Sequence, residues 1–171
     1  MERTSEIEAA SEEILNRLVA QYQTPLRCMC FVILRDEELA KDAVQDTFFK
    51  AYKNIAAFRR ECSEKTWLMK IAINTCRDVK RSAWFRLLDR RVTPEDLPAP
   101  IVQTSEESVE LTIAIMKLPP KLKEVIILYY YQQMTTREVA DVLNIPQSTV
   151  STRLRKAKEK LKFLLEGGDV Q

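Results

Sequence analysis

Ser148, Thr149, Ser151 and Thr152 place four short hydroxyl side chains within five residues, and Arg153, Arg155 and Lys156 follow directly. Short hydroxyls let a helix face come close to base edges and phosphates, and guanidinium and ammonium groups pair with the phosphates themselves. The chemistry on offer is recognition of duplex DNA. The competing reading is a surface helix with solvated charge. Net charge is only +2 over 171 residues, which says nothing about nucleic acid, but residues 153–162 hold six Lys or Arg against one Glu.

Two further groups have chemistry in their spacing. Phe58, Arg59 and Arg60 stand in a polar loop ahead of Trp67, Lys70, Asn74, Arg77 and Arg81. Rings stack on unpaired bases, cations hold phosphates and amides read base edges, so this set suits single-stranded nucleic acid. The other reading makes Phe58 and Trp67 core residues and the cations plain surface. Asp42, Gln45, Asp46 and Phe49 recur at i, i+3, i+4 and i+7, which puts an aromatic ring among acidic and amide groups on one helix face. Either that face is a docking patch with an apolar centre and polar rim, or Phe49 packs under a neighbouring helix.

Other chemistries lack their parts. The chain has no histidine, the usual general base at neutral pH, and its two glycines, Gly167 and Gly168, leave no phosphate-cradling loop. Cys28, Cys30, Cys62 and Cys76 lack metal-ligand spacing and read as reduced, mostly small core residues, with Cys62 as a candidate exposed thiol. The expectation is no catalytic residue, no metal, no cofactor and no small-molecule substrate. At 46% hydrophobic and 30% charged the chain is globular, and neither a membrane span nor a basic-then-apolar leader is visible, so a cytoplasmic protein without direct membrane insertion is expected.

The elements that must position these groups are all helical. Val139, Ala140 and Leu143 follow the capping pair Thr135 and Thr136 at helical spacing and stop near Asn144, and Pro146 blocks continuation. A second run, Val150, Leu154, Ala157 and Leu161, lies opposite Ser148, Thr152 and Arg155, so residues 135–162 read as a helix-turn-helix. Upstream, residues 6–34 read as two helices with Pro25 near the start of the second. Residues 36–55 form a third, with Ala40, Val44, Thr47, Phe48, Ala51 and Ile55 inward. Ser63 is the expected cap of a fourth, whose inward face is Leu68, Ile71, Ala72, Thr75, Cys76 and Val79. Residues 83–107 hold Pro94, Pro98 and Pro100 without sustained periodicity and read as a flexible linker; about 25 residues at roughly 3.3 Å each reach on the order of 80 Å. Residues 108–133 return to helix, broken at Pro119 and Pro120, with Tyr129, Tyr130 and Tyr131 read as core and rim packing rather than a stacking platform. The expected fold is all-α, with a domain over 1–82, a linker over 83–107 and a helix-turn-helix domain over 108–171.

The chain resembles a bacterial RNA polymerase sigma factor of the extracytoplasmic function group, the short sigma-70 form with only the second and fourth conserved regions. The resemblance rests on DEELAKDAVQDTFFKAYKNIAAF, TWLMKIAINTCRD and LPPKLKEVIILYYYQQMTTREVADVLNIPQSTVSTRLRKAKEKLK, in the family's order and spacing. It implies an alternative sigma factor that docks on core RNA polymerase through Asp42, Gln45, Asp46 and Phe49. It further implies that the loop 58–66, including Cys62 and Ser63, reads the −10 promoter element as single strand, with Asn74 matching a frequent asparagine of the family. By the same resemblance Ser151, Thr152 and Lys156 fall at positions that read the −35 element as duplex, and Thr149, Arg153 and Arg155 at or near the backbone. Ser151 stands where an arginine is often found, so the −35 sequence does not transfer. An anti-sigma factor is the implied regulatory partner. The rival, a conventional helix-turn-helix regulator independent of polymerase, requires a ligand or phospho-acceptor domain in the first 82 residues, where the pattern offers none.

Overall fold

The computed structural model describes residues 2–82, 92–98 and 105–168, and among these every regular element is a helix. The order is α1 (Glu2–Leu34), α2 (Glu37–Asn54) with a 3-10 turn at Ile55–Ala57, and α3 (Glu64–Arg81). A short 3-10 turn at Pro94–Asp96 precedes α4 (Glu106–Met116) and α5 (Pro120–Ile126), which runs on as a π turn over Ile127–Tyr131. α6 (Thr136–Leu143) and α7 (Gln147–Leu165) complete the chain.

The first segment differs from expectation: residues 6–34 belong to one continuous helix with Pro25 inside it. Proline there forfeits the amide that would reach the carbonyl of Gln21, a cost of about 3 kcal/mol. Leu18 on one side and Leu26, Met29, Cys30 and Ile33 on the other bury one continuous stripe, and that burial outweighs the lost hydrogen bond. The stripe packs on α2 and α3. Arg35, at φ 57°, ends α1, and Asp36 caps α2 by accepting the Leu39 amide at 2.8 Å. The six residues expected inward on α2 are buried.

The linker contains structure as well. Thr93 and Asp96 form a capping box around the 3-10 turn, and Leu97 is 5% exposed in the same apolar cluster as the helices. α4 starts at Glu106, earlier than periodicity indicates, because Ser105 caps it and Glu106 and Glu107 favour the positive end of the helix dipole. Residues 83–91 and 99–104 of the expected linker lie outside the described residues.

The two halves meet. α3 packs on α6, and α1 touches α4 and α5. Arg35 donates to the Met116 carbonyl, Lys65 donates to the Gln132 carbonyl, and Gln132 Nε2 donates to the Pro25 carbonyl at 3.4 Å. Near this seam Lys123 is buried, and desolvation, with Arg35 and Lys80 repelling it and Glu124 opposing them, pulls its ammonium from 10.5 to about 7. The folded chain therefore binds fewer protons than the unfolded one between pH 7 and 10.5, so this lysine makes folding more favourable as pH rises through that window. Lys123→Met removes the buried charge and is expected to stabilise the fold by about 2 kcal/mol at pH 7 and below, with the gain shrinking toward pH 10.5. Denaturant unfolding of both chains across pH measures it; a gain independent of pH would place the ammonium in solvent.

Candidate nucleic-acid and docking interfaces

The helix-turn-helix is fixed by local chemistry. Thr135 and Glu138 form a reciprocal capping box, the Thr135 amide donating to Glu138 Oε2 at 2.7 Å and the Glu138 amide to Thr135 Oγ1 at 3.2 Å. Asn144 adopts the left-handed conformation, φ 53° and ψ 50°, that stops α6, and Pro146 stands at the entry to α7. Gln147 Nε2 donates to Thr136 Oγ1 at 2.7 Å and ties the two helices together. Val139, Ala140, Val142 and Leu143 pack with Val150, Leu154, Ala157 and Leu161 in the core, so the opposite face of α7 is turned to solvent.

On that face Ser148, Ser151, Thr152, Arg155 and Lys156 are exposed, and Thr149 and Arg153 are half-buried at its edge. Ser151 and Thr152 donate their hydroxyl hydrogens to the carbonyls of Gln147 and Ser148 at 3.3 and 3.0 Å, which leaves oxygen lone pairs pointing outward as acceptors. Arg155 pairs with Glu159 at 3.0 Å, but both are well exposed, and such a pair holds the guanidinium by only about 0.5 kcal/mol. All seven predicted residues thus fall on or beside one accessible surface.

The α2 face is equally well assembled. Asp42, Gln45 and Asp46 are exposed, and Phe49 is 55% exposed, so the ring faces solvent and does not pack under a neighbouring helix. The Lys53 ammonium lies 4.3 Å from the Phe49 ring centroid, and Lys50 pairs with Asp46 at 2.9 Å. Sequence reasoning missed Tyr52, 40% exposed, which extends the apolar centre one turn beyond Phe49; the i, i+3 spacing carried the signal.

The loop and α3 residues divide. Phe58 stacks on Trp67 with centroids 4.7 Å apart and planes at 26°, so both of the rings' open roles, packing and presentation, bear on one pair. Trp67 is half-buried against the core, while Phe58 and Trp67 also line a cavity of 220 Å³ with Ile14, Leu18, Ile55, Ala56, Arg60 and Glu64. Arg17 grips Glu64 with two contacts of 2.9 Å and holds its carboxyl below the usual range. Arg59 and Arg60 are exposed, the latter at φ 56°. Ser63 serves as the cap of α3, accepting the Thr66 amide at 3.0 Å, so its oxygen is already engaged.

Cys62 is half-buried, and burial pushes its thiol up, which makes it a poor thiolate nucleophile. With Thr66 and Lys70 it lines one wall of a 540 Å³ cleft whose other wall is Ala140, Asp141, Asn144, Ile145 and Pro146 from the helix-turn-helix. Asn74 and Arg81 face solvent, Arg81 reaching Asp78 at 3.3 Å. Arg77 is captured across the seam: its Nε and Nη2 donate to the two carboxylate oxygens of Glu124 at 3.1 and 2.8 Å. A contact 47 residues apart leaves no mark in local periodicity.

Among the described residues no helix is long and apolar enough to cross a membrane, and no group of three or more potential ligands is placed to hold a metal ion.

The family model "Sigma-70 region 2" matches residues 18–86 and "Sigma-70, region 4" matches residues 108–161. The chain is 28% identical over 174 residues to the ECF RNA polymerase sigma factor SigW of Bacillus subtilis, covering 94% of this chain and 93% of that one. It is 32% identical over 154 residues to RNA polymerase sigma factor YlaC of the same organism, covering 85% and 88%. Two solved structures share the fold. CnrH in complex with the cytosolic domain of CnrY matches at TM-score 0.72 and 24% identity over 96% of both chains. Sigma factor RpoE in complex with the anti-sigma factor NepR from Bartonella quintana matches at TM-score 0.74 and 21% identity over 90% of this chain and 98% of that one.

Proposed function

The chain belongs to the extracytoplasmic function group of the sigma-70 family, and from that premise we propose that it acts in the cytoplasm on core RNA polymerase, docking through α2, reading promoter DNA through α3 and α7, and aiding melting. It is an alternative sigma factor. The phosphodiester chemistry belongs to the polymerase. The unit over residues 1–82 holds polymerase and the −10 element, residues 83–107 link, and residues 108–171 hold the −35 element.

The observation that carries this reading is that three surfaces suited to three different partners are presented by one chain. α2 offers acids around an exposed ring, matched to a basic and apolar protein surface. The Phe58–Trp67 pair lines a 220 Å³ cavity together with Arg60, which suits one unstacked base beside its phosphate. α7 offers hydroxyl acceptors and cations to a duplex major groove. An anti-sigma factor is the regulatory partner in this reading, as NepR is for RpoE.

The test is assembly of the chain with core polymerase on a forked promoter fragment from its own upstream region, whose −10 strand is unpaired. Phe58→Ala removes one stacking surface and is expected to weaken binding to the forked fragment by about 1–3 kcal/mol, leaving binding to a −35 duplex unchanged. Equal loss on both DNAs would show that Phe58 serves the fold and not the unpaired strand.

A further inference from the structure

Arg77 lies on α3, on the helix proposed to read the −10 element, yet its guanidinium is taken up by Glu124 of α5 in the other half of the chain. The pairing is bidentate, and the Glu124 side chain is only 8% exposed against 35% for Arg77. A guanidinium fork fits carboxylate and phosphate in the same two-point geometry. Glu124 therefore occupies the position that a DNA phosphate would take on Arg77. A phosphate approaching this arginine in the closed chain meets a carboxylate already in place, and like charge repels it.

The rest of the seam covers one side of the same face, while Arg59, Arg60, Asn74 and Arg81 stay exposed. Lys65, the second residue of α3, donates to the Gln132 carbonyl, and Gln132 in turn donates to the Pro25 carbonyl of α1. Cys62, Thr66 and Lys70 face Ala140, Asp141 and Asn144 of α6 across the cleft. In contrast, the α7 surface, with Ser148, Ser151, Thr152, Arg155 and Lys156, is open to solvent in this same arrangement.

We propose that Glu124 is an internal phosphate mimic that latches the two halves together through Arg77, withholding Arg77 and the seam side of the −10 face in the free chain while leaving the −35 face open. This rests on the reading of α3 as the −10 helix. Closure weakens the hold of the free protein on single strands, and separation of the halves on the polymerase releases Arg77 to its phosphate. Lys123 fits the same device. Its buried ammonium is repelled by Arg35 and Lys80 from the first half and attracted by Glu124 from its own helix, so the seam region holds a charge and not only apolar contact.

Cys62 is a native reporter of closure, because its half-buried thiol lines the cleft between the two halves. Iodoacetamide labelling of the full-length protein, read by peptide mass, gives its rate in the native chain, in Glu124→Gln and in Lys65→Met. Circular dichroism confirms that each is folded, and Lys65→Met, at a half-buried site, serves where Glu124→Gln does not fold. The expected result is an increase in Cys62 labelling of about tenfold in each variant, with a comparable gain in affinity of the free protein for a single-stranded oligothymidine. Unchanged labelling in folded variants would overturn the latch and leave the −10 assignment standing. Faster labelling without any gain in oligothymidine binding would confirm that the seam opens but overturn the inhibitory role, together with the assignment of Arg77 to the −10 strand.

Discussion

Replacing Asp42 and Asp46 together by arginine is expected to lower the affinity of the chain for core RNA polymerase by about a hundredfold, with little effect on folding. Close charge pairs at protein interfaces couple by about 1.5–7 kcal/mol, and reversal adds repulsion to the loss. Both carboxylates are exposed, and among the described residues only Asp46 has a partner, the i+4 ion pair to Lys50, a contact worth about 0.5 kcal/mol to a helix. The folded state therefore has little stake in them. Phe49 supplies the apolar centre of the same face, and Tyr52 continues it. Binding of the variant to core, measured beside its binding to a −35 duplex, separates the two activities. If both fell together, α2 would be a structural element and the docking face would lie elsewhere.

The second large effect concerns α7. Arg155→Ala with Lys156→Ala is expected to weaken duplex binding by at least about tenfold at moderate salt and to reduce the slope of log affinity against log salt by roughly 2, since each phosphate contact contributes about 0.9 to that slope. The Arg155–Glu159 pair offers little competition to DNA, because both partners are exposed and screened. Replacement of Ser151 or Thr152 acts differently. These residues bring hydroxyl acceptors to the base edges, so their loss should change which sequence is preferred more than how steeply binding responds to salt. Salt titrations against several duplex sequences distinguish the two classes of residue. An unchanged slope in the double variant would place these cations away from DNA.

The helix-turn-helix was legible because its determinants are local. The Thr135–Glu138 capping box, the left-handed Asn144 and Pro146 each act within a few residues, and each is where the residue types place it. The inward faces of α2 and α7 followed from spacing for the same reason. Ser105 with two acids behind it is an equally local helix start, but it lies at the end of a proline-rich stretch whose lack of periodicity reads as linker. Pro25 misled because its local cost is real; the burial that outweighs it comes from α2 and α3, which the flanking residues do not encode. The seam was invisible for a deeper reason. Arg77 and Glu124 look like ordinary surface charges, and nothing within a few turns of either shows that they meet. The same holds for Lys123, whose burial follows from α5 being enclosed nearly all round, between Leu122 and Leu128.

For the candidate site, residue types and spacing identified three surfaces, and the structure sharpened each differently. Phe49 faces solvent, so the patch reading of α2 survives and the packing reading does not. Phe58 and Trp67 stack on each other, which explains why a core role and a base-binding role could both be argued. Ser63 has its oxygen committed to the helix cap and is a weaker candidate for reading bases than its place in the loop indicates.

The central claim is that this chain directs polymerase to promoters through these surfaces, and the most direct measurement is run-off transcription. Purified protein is added to core polymerase on linear templates carrying its own upstream region. The expected result is a discrete transcript that core alone does not make and that the chain with Asp42→Arg and Asp46→Arg fails to restore. A folded protein that produced no transcript above core alone from several candidate upstream regions would contradict it.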